Sequence, residues 1–336
     1  MGRIALEVAS ETLRLKVPFR ISGHVFETSA VVVVTLRDGE LDGRGEGGGV
    51  YYLGDDVAHM LAAIEKARPV IEAGVSRDDL RRLMPPGGGR NAVDCALWEL
   101  EAARTGKPVW DLAGQAPPLP LRTTFTLGAD APEVMASGAL KYAHAKSIKV
   151  KLTGDLELDI ERVTAIRAAR PDVWLGVDGN QGFVIEELDP LVAALARLNV
   201  SLLEQPLARG READLDHYRS AIPIAGDESL LTLDDVAPAV GRFDVVNIKL
   251  DKCGGLTEGL LMAAEARRLG LGVMVGNMVG TSLAMAPAFV LGQGCDIVDL
   301  DGPIFLAQDH QPGVTYADGM VTAGPEVWGT KKLLAA

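Results

Sequence analysis

Between Ser147 and Gly255 five short segments decide the fold: SIKVKL (147–152), WLGVDGN (174–180), VSLLEQP (200–206), IPIAGDES (222–229) and VVNIKLDKCGG (245–255). Each is an apolar run of β type, and each ends in charge. Lys151, Asp178, Glu204, Asp227 and Lys252 follow one another at 27, 26, 23 and 25 residues, by subtraction of their numbers. One strand plus one helix occupies about that length. Charged groups at the carboxyl ends of successive parallel strands are what a (β/α) barrel requires, because its active site is built on that face.

Working outward, the alternation continues on both sides. TTFTLG (123–128) precedes the five segments, and GVMVGN (272–277) and DIVDLD (296–301) follow them, making eight strand candidates. Helical patterns such as LDIERVTAIRAAR (158–170) and TEGLLMAAEARRLG (257–270) lie between them. The first third has a different texture. Residues 1–50 read as strands with turn glycines in RDGELDGRGEG. A helix over 56–73 is expected to break at Pro69, and MPPGGGR (84–90) reads as a loop. Asn91 is expected to cap the helix AVDCALWELEAART, which Gly106 and Pro108 end. GVTYADGMVTA (313–323) reads as a hairpin too late for the barrel and is expected to return to the first domain. The expected organisation is an α+β domain over 1–118, joined by about 312–336, and a barrel over 119–311.

Bulk properties narrow the function classes. The formal net charge is −13 with no basic cluster, which argues against nucleic acid as a partner. No run of 18 apolar residues suggests a membrane span, and the first residues lack the apolar core of a signal peptide. Three cysteines (Cys95, Cys253, Cys295) without metal-type spacing point to a reducing, cytoplasmic location. The five histidines form no catalytic arrangement, and neither Ser282 nor Cys253 has an evident base partner.

Three strand-end carboxylates, Asp178, Glu204 and Asp227, suit a hard, oxygen-seeking cation such as Mg²⁺. No His or Cys lies nearby to favour Zn²⁺. Strand-end acids also serve as loop caps, but three at barrel spacing argue for convergence. Lys149 and Lys151 are two apart on a strand, hence on one face. A neighbouring cation and partial desolvation would lower a lysine pKa toward that of a general base. Lys249 and Lys252 are three apart, so one is expected inside the strand and one just past its end. Asp299 and Asp301 share a face of the last strand and repel unless they meet a cation, either a second metal or a substrate ammonium.

Together K-x-K, V-D-G-N-Q-G, E-Q-P, G-D-E-S and N-I-K-L-x-K-C-G-G resemble the enolase superfamily, in its muconate-lactonising-enzyme-like subgroup. Gly43–Glu46, ALWELEA and GKPVWDLAG extend the resemblance over the whole chain. It implies a (β/α)₇β modified TIM barrel under an α+β capping domain, with one Mg²⁺ held by Asp178, Glu204 and Asp227. It also implies removal of the proton α to a substrate carboxylate, giving a metal-stabilised enolate. The Asp-x-Asp pair resembles the dipeptide epimerases, which implies that Asp299 and Asp301 bind the α-ammonium of a dipeptide. By the same match Lys151 and Lys252 are the two acid/base lysines, Lys149 sits by the substrate carboxylate, and Thr126 contacts substrate. FRISGHVFETSA (19–30) offers no match to the arginine that selects glutamate in alanyl-glutamate epimerases, although Arg20 and His24 are nearby cations. The alternatives are an N-acyl amino acid racemase, a cycloisomerase, an o-succinylbenzoate synthase, or a barrel that only binds a ligand. A small-molecule substrate is the expected partner, and assembly into a homo-oligomer stays open.

Overall fold

The computed structural model describes residues 3–21 and 24–329, with the backbone alone at Ile21 and His24. Ser22 and Gly23 of the capping loop, and the tail from 330, lie outside the described residues.

The first domain begins with an antiparallel meander, β1 (Ala5–Ile21), β2 (His24–Asp38) and β3 (Leu41–Gly48). Gly39 makes the second turn at φ 60°, a left-handed conformation that glycine adopts without strain. Alternation turns Leu6, Val32, Val34 and Leu36 toward three helices, α1 (Val57–Glu72), α2 (Arg77–Leu83) and α3 (Gly88–Thr105). α1 runs through Pro69 rather than breaking there. The proline falls in its last turn, so little of the backbone ladder is lost, and Met60, Ile64, Ala67 and Ile71 keep one buried stripe throughout.

α3 begins three residues before Asn91. Asp55 supplies the cap from a distance by accepting the Gly88 N–H at 2.9 Å. Asn91 is instead a buried helical residue whose amide donates to Asp251 Oδ1 at 2.8 Å across the domain boundary. The glycines of MPPGGGR let this helix end meet β3: a Cβ on Gly88 would stand 2.2 Å from the Gly48 carbonyl oxygen.

After α4 (Val109–Leu112) and a short β4 (Leu121–Arg122) come eight parallel strands: β5 (Thr124–Leu127), β6 (Ser147–Lys151), β7 (Trp174–Asp178), β8 (Leu202–Glu204), β9 (Ile224–Gly226), β10 (Val245–Lys249), β11 (Gly272–Gly276) and β12 (Ile297–Val298). They hydrogen-bond strictly in sequence order. The crossovers hold α5 (Pro132–Lys141), α6 (Leu156–Ala169), α7 (Ile185–Arg197), the single turn α8 (Leu250–Cys253) with α9 (Leu256–Arg268), and α10 (Ser282–Gly292). Those after β8 and β9 carry only 3₁₀ turns. Ile148, Val150, Leu175, Val177, Ile248 and Val275 fill the layer between strands and helices. Their alternates therefore face the barrel axis.

The barrel closes through side chains. Among the described residues no backbone ladder joins β12 to β5. Leu300 N–H donates to Thr123 Oγ1 at 2.9 Å, Thr126 N–H to Asp301 Oδ2 at 2.7 Å, and the Thr124 hydroxyl to Asp299.

The late hairpin corrects one expectation. β13 (Thr315–Ala317) and β14 (Met320–Thr322) pair with β4, not with the first sheet. They lie beside β5, where the Tyr316 ring meets Phe125 and its hydroxyl donates to the Leu300 carbonyl just past β12 at 2.8 Å. Only the chain beyond returns to the first domain: the Trp328 indole donates to the Arg44 carbonyl at 2.9 Å. No helix among the described residues is long and apolar enough to cross a membrane.

Candidate active site

Strand parity and register gather the charged residues at the carboxyl ends of the strands. Lys151 pairs in register with Asp178, and Asp178 with Glu204. Asp227 follows β9 directly, and Lys249 ends β10. One oxygen each from Asp178, Glu204 and Asp227 lies within 4.8 Å of the others, and all three residues are buried. Lysines surround them. Asp178 Oδ2 meets Lys149 Nζ at 3.1 Å and Lys151 Nζ at 2.6 Å. Asp227 Oδ2 meets Lys249 Nζ at 2.7 Å. Lys149 Nζ also stands 2.7 Å from Glu204 Oε2 and 2.9 Å from Asp299 Oδ2.

This donor set fits a hard cation. Burial and the charge of Asp178 push Glu204 up to about 8. Its Oε2 is buried and faces the Lys149 ammonium at 2.7 Å, while Oε1 accepts from the Asn247 amide at 2.9 Å. Burial works against ionised Asp227 and Asp178 too, but Lys249 and Lys252 outweigh it at Asp227, and Lys151 and Lys149 outweigh it at Asp178. Both acids stay well below the usual carboxylate range. Three buried carboxylate oxygens crowded this closely match the all-oxygen coordination of a divalent ion.

The expected lowering of lysine pKa is not what the geometry produces at Lys149 or Lys249. Burial disfavours each ammonium, yet Asp299, Glu204 and Asp178 hold Lys149 well above its ordinary value, and Asp227 does the same for Lys249. Carboxylates outnumber cations here, so Coulombic attraction outweighs desolvation.

The two lysines of β10–α8 separate in position. β6 and β10 are the second and sixth of eight strands, hence opposite each other across the barrel. Lys151 and Lys249 both line a cavity of about 290 Å³, together with Asp227, Glu228 and Asn180. Lys252 does not line it. β10 ends at Lys249 and the chain turns into α8, which carries Lys252 behind Asp227 with its side chain fully buried. Its ammonium donates to Asp227 Oδ1 at 2.5 Å and to the Asn247 carbonyl at 3.1 Å. Lys252, expected to face substrate, lies outside the cavity lining because the strand stops at Lys249.

Asp299 and Asp301 lie at the β12–β5 seam, outside the cavity lining, with Thr126 beside them. Asp299 is ion-paired with Lys149, whereas Asp301 forms no ion pair among the described residues. Burial and the neighbouring Asp299 charge push Asp301 up to about 7.

Sequence reasoning missed Glu228, Asn180 and Asn277, all of which line the cavity. Burial and Asp227 push Glu228 up to about 7. The signal for Asn277 was present: it follows β11, one strand-plus-helix interval beyond Lys249.

Known proteins bear on this site. Residues 3–114 match the N-terminal domain of the mandelate racemase / muconate lactonizing enzyme family, and residues 132–326 match the enolase C-terminal domain-like family. An L-Ala-D/L-Glu epimerase of Escherichia coli (strain K12) is 40% identical over 316 residues, 94% of this chain and 98% of that protein. An N-acetyl-D-glutamate racemase of a Pseudoalteromonas species is 41% identical over 244 residues, 73% of this chain and 76% of that protein. An enolase family member from Agrobacterium tumefaciens with homology to dipeptide epimerases, solved with sodium and L-Ala-L-Glu, superposes with a TM-score of 0.93 at 40% identity, covering 97% of this chain and 100% of that one. A dipeptide epimerase from Methylococcus capsulatus, complexed with Mg and L-Arg-D-Lys, gives 0.91 at 29% identity, covering 98% and 99%. With a capped eight-strand barrel and matches along both domains, the chain is an isomerase of the racemase and epimerase kind, belonging to the mandelate racemase / muconate lactonizing enzyme family of the enolase superfamily.

Proposed function

We propose that the chain is a Mg²⁺-dependent dipeptide epimerase, inverting the α-carbon of the carboxy-terminal residue by two-base 1,1-proton transfer. The observation that carries this is the placement of Lys151 and Lys249 on opposite strands, both lining one cavity above the three carboxylates. Inversion needs a base on each face of the carbon. In this reading Lys249 takes the role that the sequence assigned to Lys252.

Asp178, Glu204 and Asp227 would hold the cation. When bound, it offsets the negative charge that builds on the substrate carboxylate as the α-proton leaves. Lys149, whose ammonium bridges Glu204, Asp178 and Asp299, supplies fixed positive charge beside that carboxylate. Whichever of Lys151 and Lys249 is the neutral amine takes the proton as substrate gains enolate character. The other delivers a proton to the opposite face. Asp301, with no cation of its own, is the group toward which we place the α-ammonium, with Asp299 and Thr126 behind it.

The relation to an N-acetyl-D-glutamate racemase favours a second reading, an N-acyl amino acid racemase. The two differ in the charge that Asp301 must meet. The test follows deuterium uptake from D₂O into L,L-dipeptides and into the matching N-acetyl amino acids, with Mg²⁺ and with chelator. We expect dipeptides to lead in kcat/KM, the preference to shrink in Asp301→Asn, and chelator to stop exchange reversibly. Equal rates for both substrate types, or a preference unmoved by Asp301→Asn, would overturn the dipeptide reading in favour of the racemase.

A further inference from the structure

We infer that the residue undergoing inversion carries an apolar or aromatic side chain rather than the acidic side chain of the alanyl-glutamate epimerases. The inference rests on the epimerase reading and adds the substrate class. With Lys151 and Lys249 on opposite faces of the α-carbon, its three other substituents spread in the plane between them. The carboxylate goes down toward Asp178, Glu204 and Lys149. The peptide nitrogen leads toward the seam at Asp299 and Asp301. The side chain is left the remaining direction, up into the cavity beneath the capping domain.

That end of the cavity is apolar. Leu15, Phe19, Phe26, Tyr51, Met278 and Val279 line it. Phe26 and Tyr51 meet edge-on with ring centroids 5.3 Å apart, and Phe19 packs on Phe305 at 4.8 Å. These contacts make a preformed aromatic wall.

Among the described residues, no cation there is free to receive a carboxylate. Among the described residues lining the cavity, Lys151 and Lys249 are the only basic ones, and both are paired with the metal-site acids. Arg20, next to Phe19 on β1, is exposed and does not line the cavity. The other charges at this end are negative. Asp55 accepts from Gly88 N–H at 2.9 Å, Asp56 caps α1 by accepting from His59 N–H at 2.8 Å, and Glu228 carries a buried oxygen without a partner. Among the described residues, a substrate carboxylate entering here would lose water and meet acids, apolar surface and a few neutral polar groups but no free cation, an arrangement that burial penalises. An apolar side chain would displace water from the aromatic wall and gain contact.

The experiment compares kcat/KM of the Mg²⁺-loaded full-length enzyme for L-Ala-L-Glu, the near-isosteric L-Ala-L-Met, and L-Ala-L-Phe. We expect L-Ala-L-Met or L-Ala-L-Phe to exceed L-Ala-L-Glu at least tenfold, expressed mainly in KM, within the range that apolar pockets discriminate. Phe26→Arg, or Phe19→Arg should the first fold poorly, is expected to move the Glu-to-Met ratio at least tenfold toward Glu. L-Ala-L-Glu equal to or ahead of L-Ala-L-Met in the native enzyme would overturn this inference and leave the epimerase reading standing. Absence of turnover on every dipeptide would overturn both.

Discussion

Lys249 and Lys252 are separated by three positions, yet one lines the cavity and the other is sealed behind Asp227. The difference is worth a direct measurement, because each lysine has its own expected signature. Lys249→Ala should abolish epimerisation by about 10²–10⁴-fold while Lys151 still exchanges the α-proton of one stereoisomer. Lys151→Ala should give the mirror result. Lys252→Met removes the ammonium that holds Asp227 Oδ1 and leaves a buried carboxylate short of a partner. It should cost about 3–5 kcal/mol of stability and weaken Mg²⁺ binding. At saturating Mg²⁺ both isomers should still exchange in the folded fraction. Isotope exchange followed separately for each isomer, with Mg²⁺ affinity by calorimetry, separates the three variants. Loss of exchange at one isomer in Lys252→Met, with Lys249→Ala active, would restore Lys252 as the base.

At the scale of elements, β3 meets the start of α3 backbone against backbone. A Cβ on Gly47 would stand 2.0 Å from the Gly88 carbonyl oxygen, and one on Gly88 2.2 Å from that of Gly48. Both obstacles are backbone, which cannot swing away as a side chain can. The junction also carries function, since the neighbouring Gly48 and Gly49 line the cavity and Gly48 N–H donates to Asp251 at 2.8 Å. Gly47→Ala is therefore expected to destabilise the fold by about 1–3 kcal/mol or more, and to raise KM by displacing the lining. Urea unfolding paired with steady-state kinetics checks both parts. Gly54→Ala serves as the control: a Cβ there meets nothing within 4 Å, although its positive φ adds some strain of its own. An equal loss of stability in the two variants would remove close packing as the explanation.

Across the whole molecule, cap and barrel are joined by buried acids. Glu46 accepts from Thr281 N–H at 2.8 Å, Asp94 from Thr257 N–H at 3.0 Å, and Asp251 from the Asn91 amide at 2.8 Å. Burial is the main cause pushing Glu46 up to about 7 and Asp94 and Asp251 up to about 6. These folded values exceed the unfolded ones near 4, so the native state binds these protons more tightly. The stabilisation is complete below about pH 4 and is lost as pH rises through 6 to 7, at on the order of 2 kcal/mol per group. Asp178 and Asp227 act oppositely, but their folded values lie so low that their window falls below pH 4. Unfolding free energy measured in chelator should therefore fall between pH 5 and pH 8. The double variant Asp94→Asn/Asp251→Asn, which mimics two protonated acids, should show a visibly shallower fall. An unchanged slope would count against the interface acids as its source.

The barrel was legible in the chain because its signals are local and repeated. An apolar run ending in charge at intervals near 25 residues reports strand, crossover and active-site face without knowledge of neighbours. The period of two likewise placed Lys149 and Lys151 on one face, and the oxygen-only character of Asp178, Glu204 and Asp227 pointed to a hard cation. Other features were set by contacts between distant segments, which no periodicity carries. Asn91 reads as a helix cap until Asp55 captures Gly88 from 33 residues away. The late hairpin settles on β4, a partner of two residues with no strand signal of its own. Asp299 and Asp301 close the barrel through Thr124 and Thr126, an attachment visible only once the first and last strands are adjacent. Lys249, and not Lys252, lines the cavity because of the residue at which β10 gives way to a helical turn. A shift of three positions there sends a side chain into the cavity or behind it, and that boundary is decided by packing rather than by propensity.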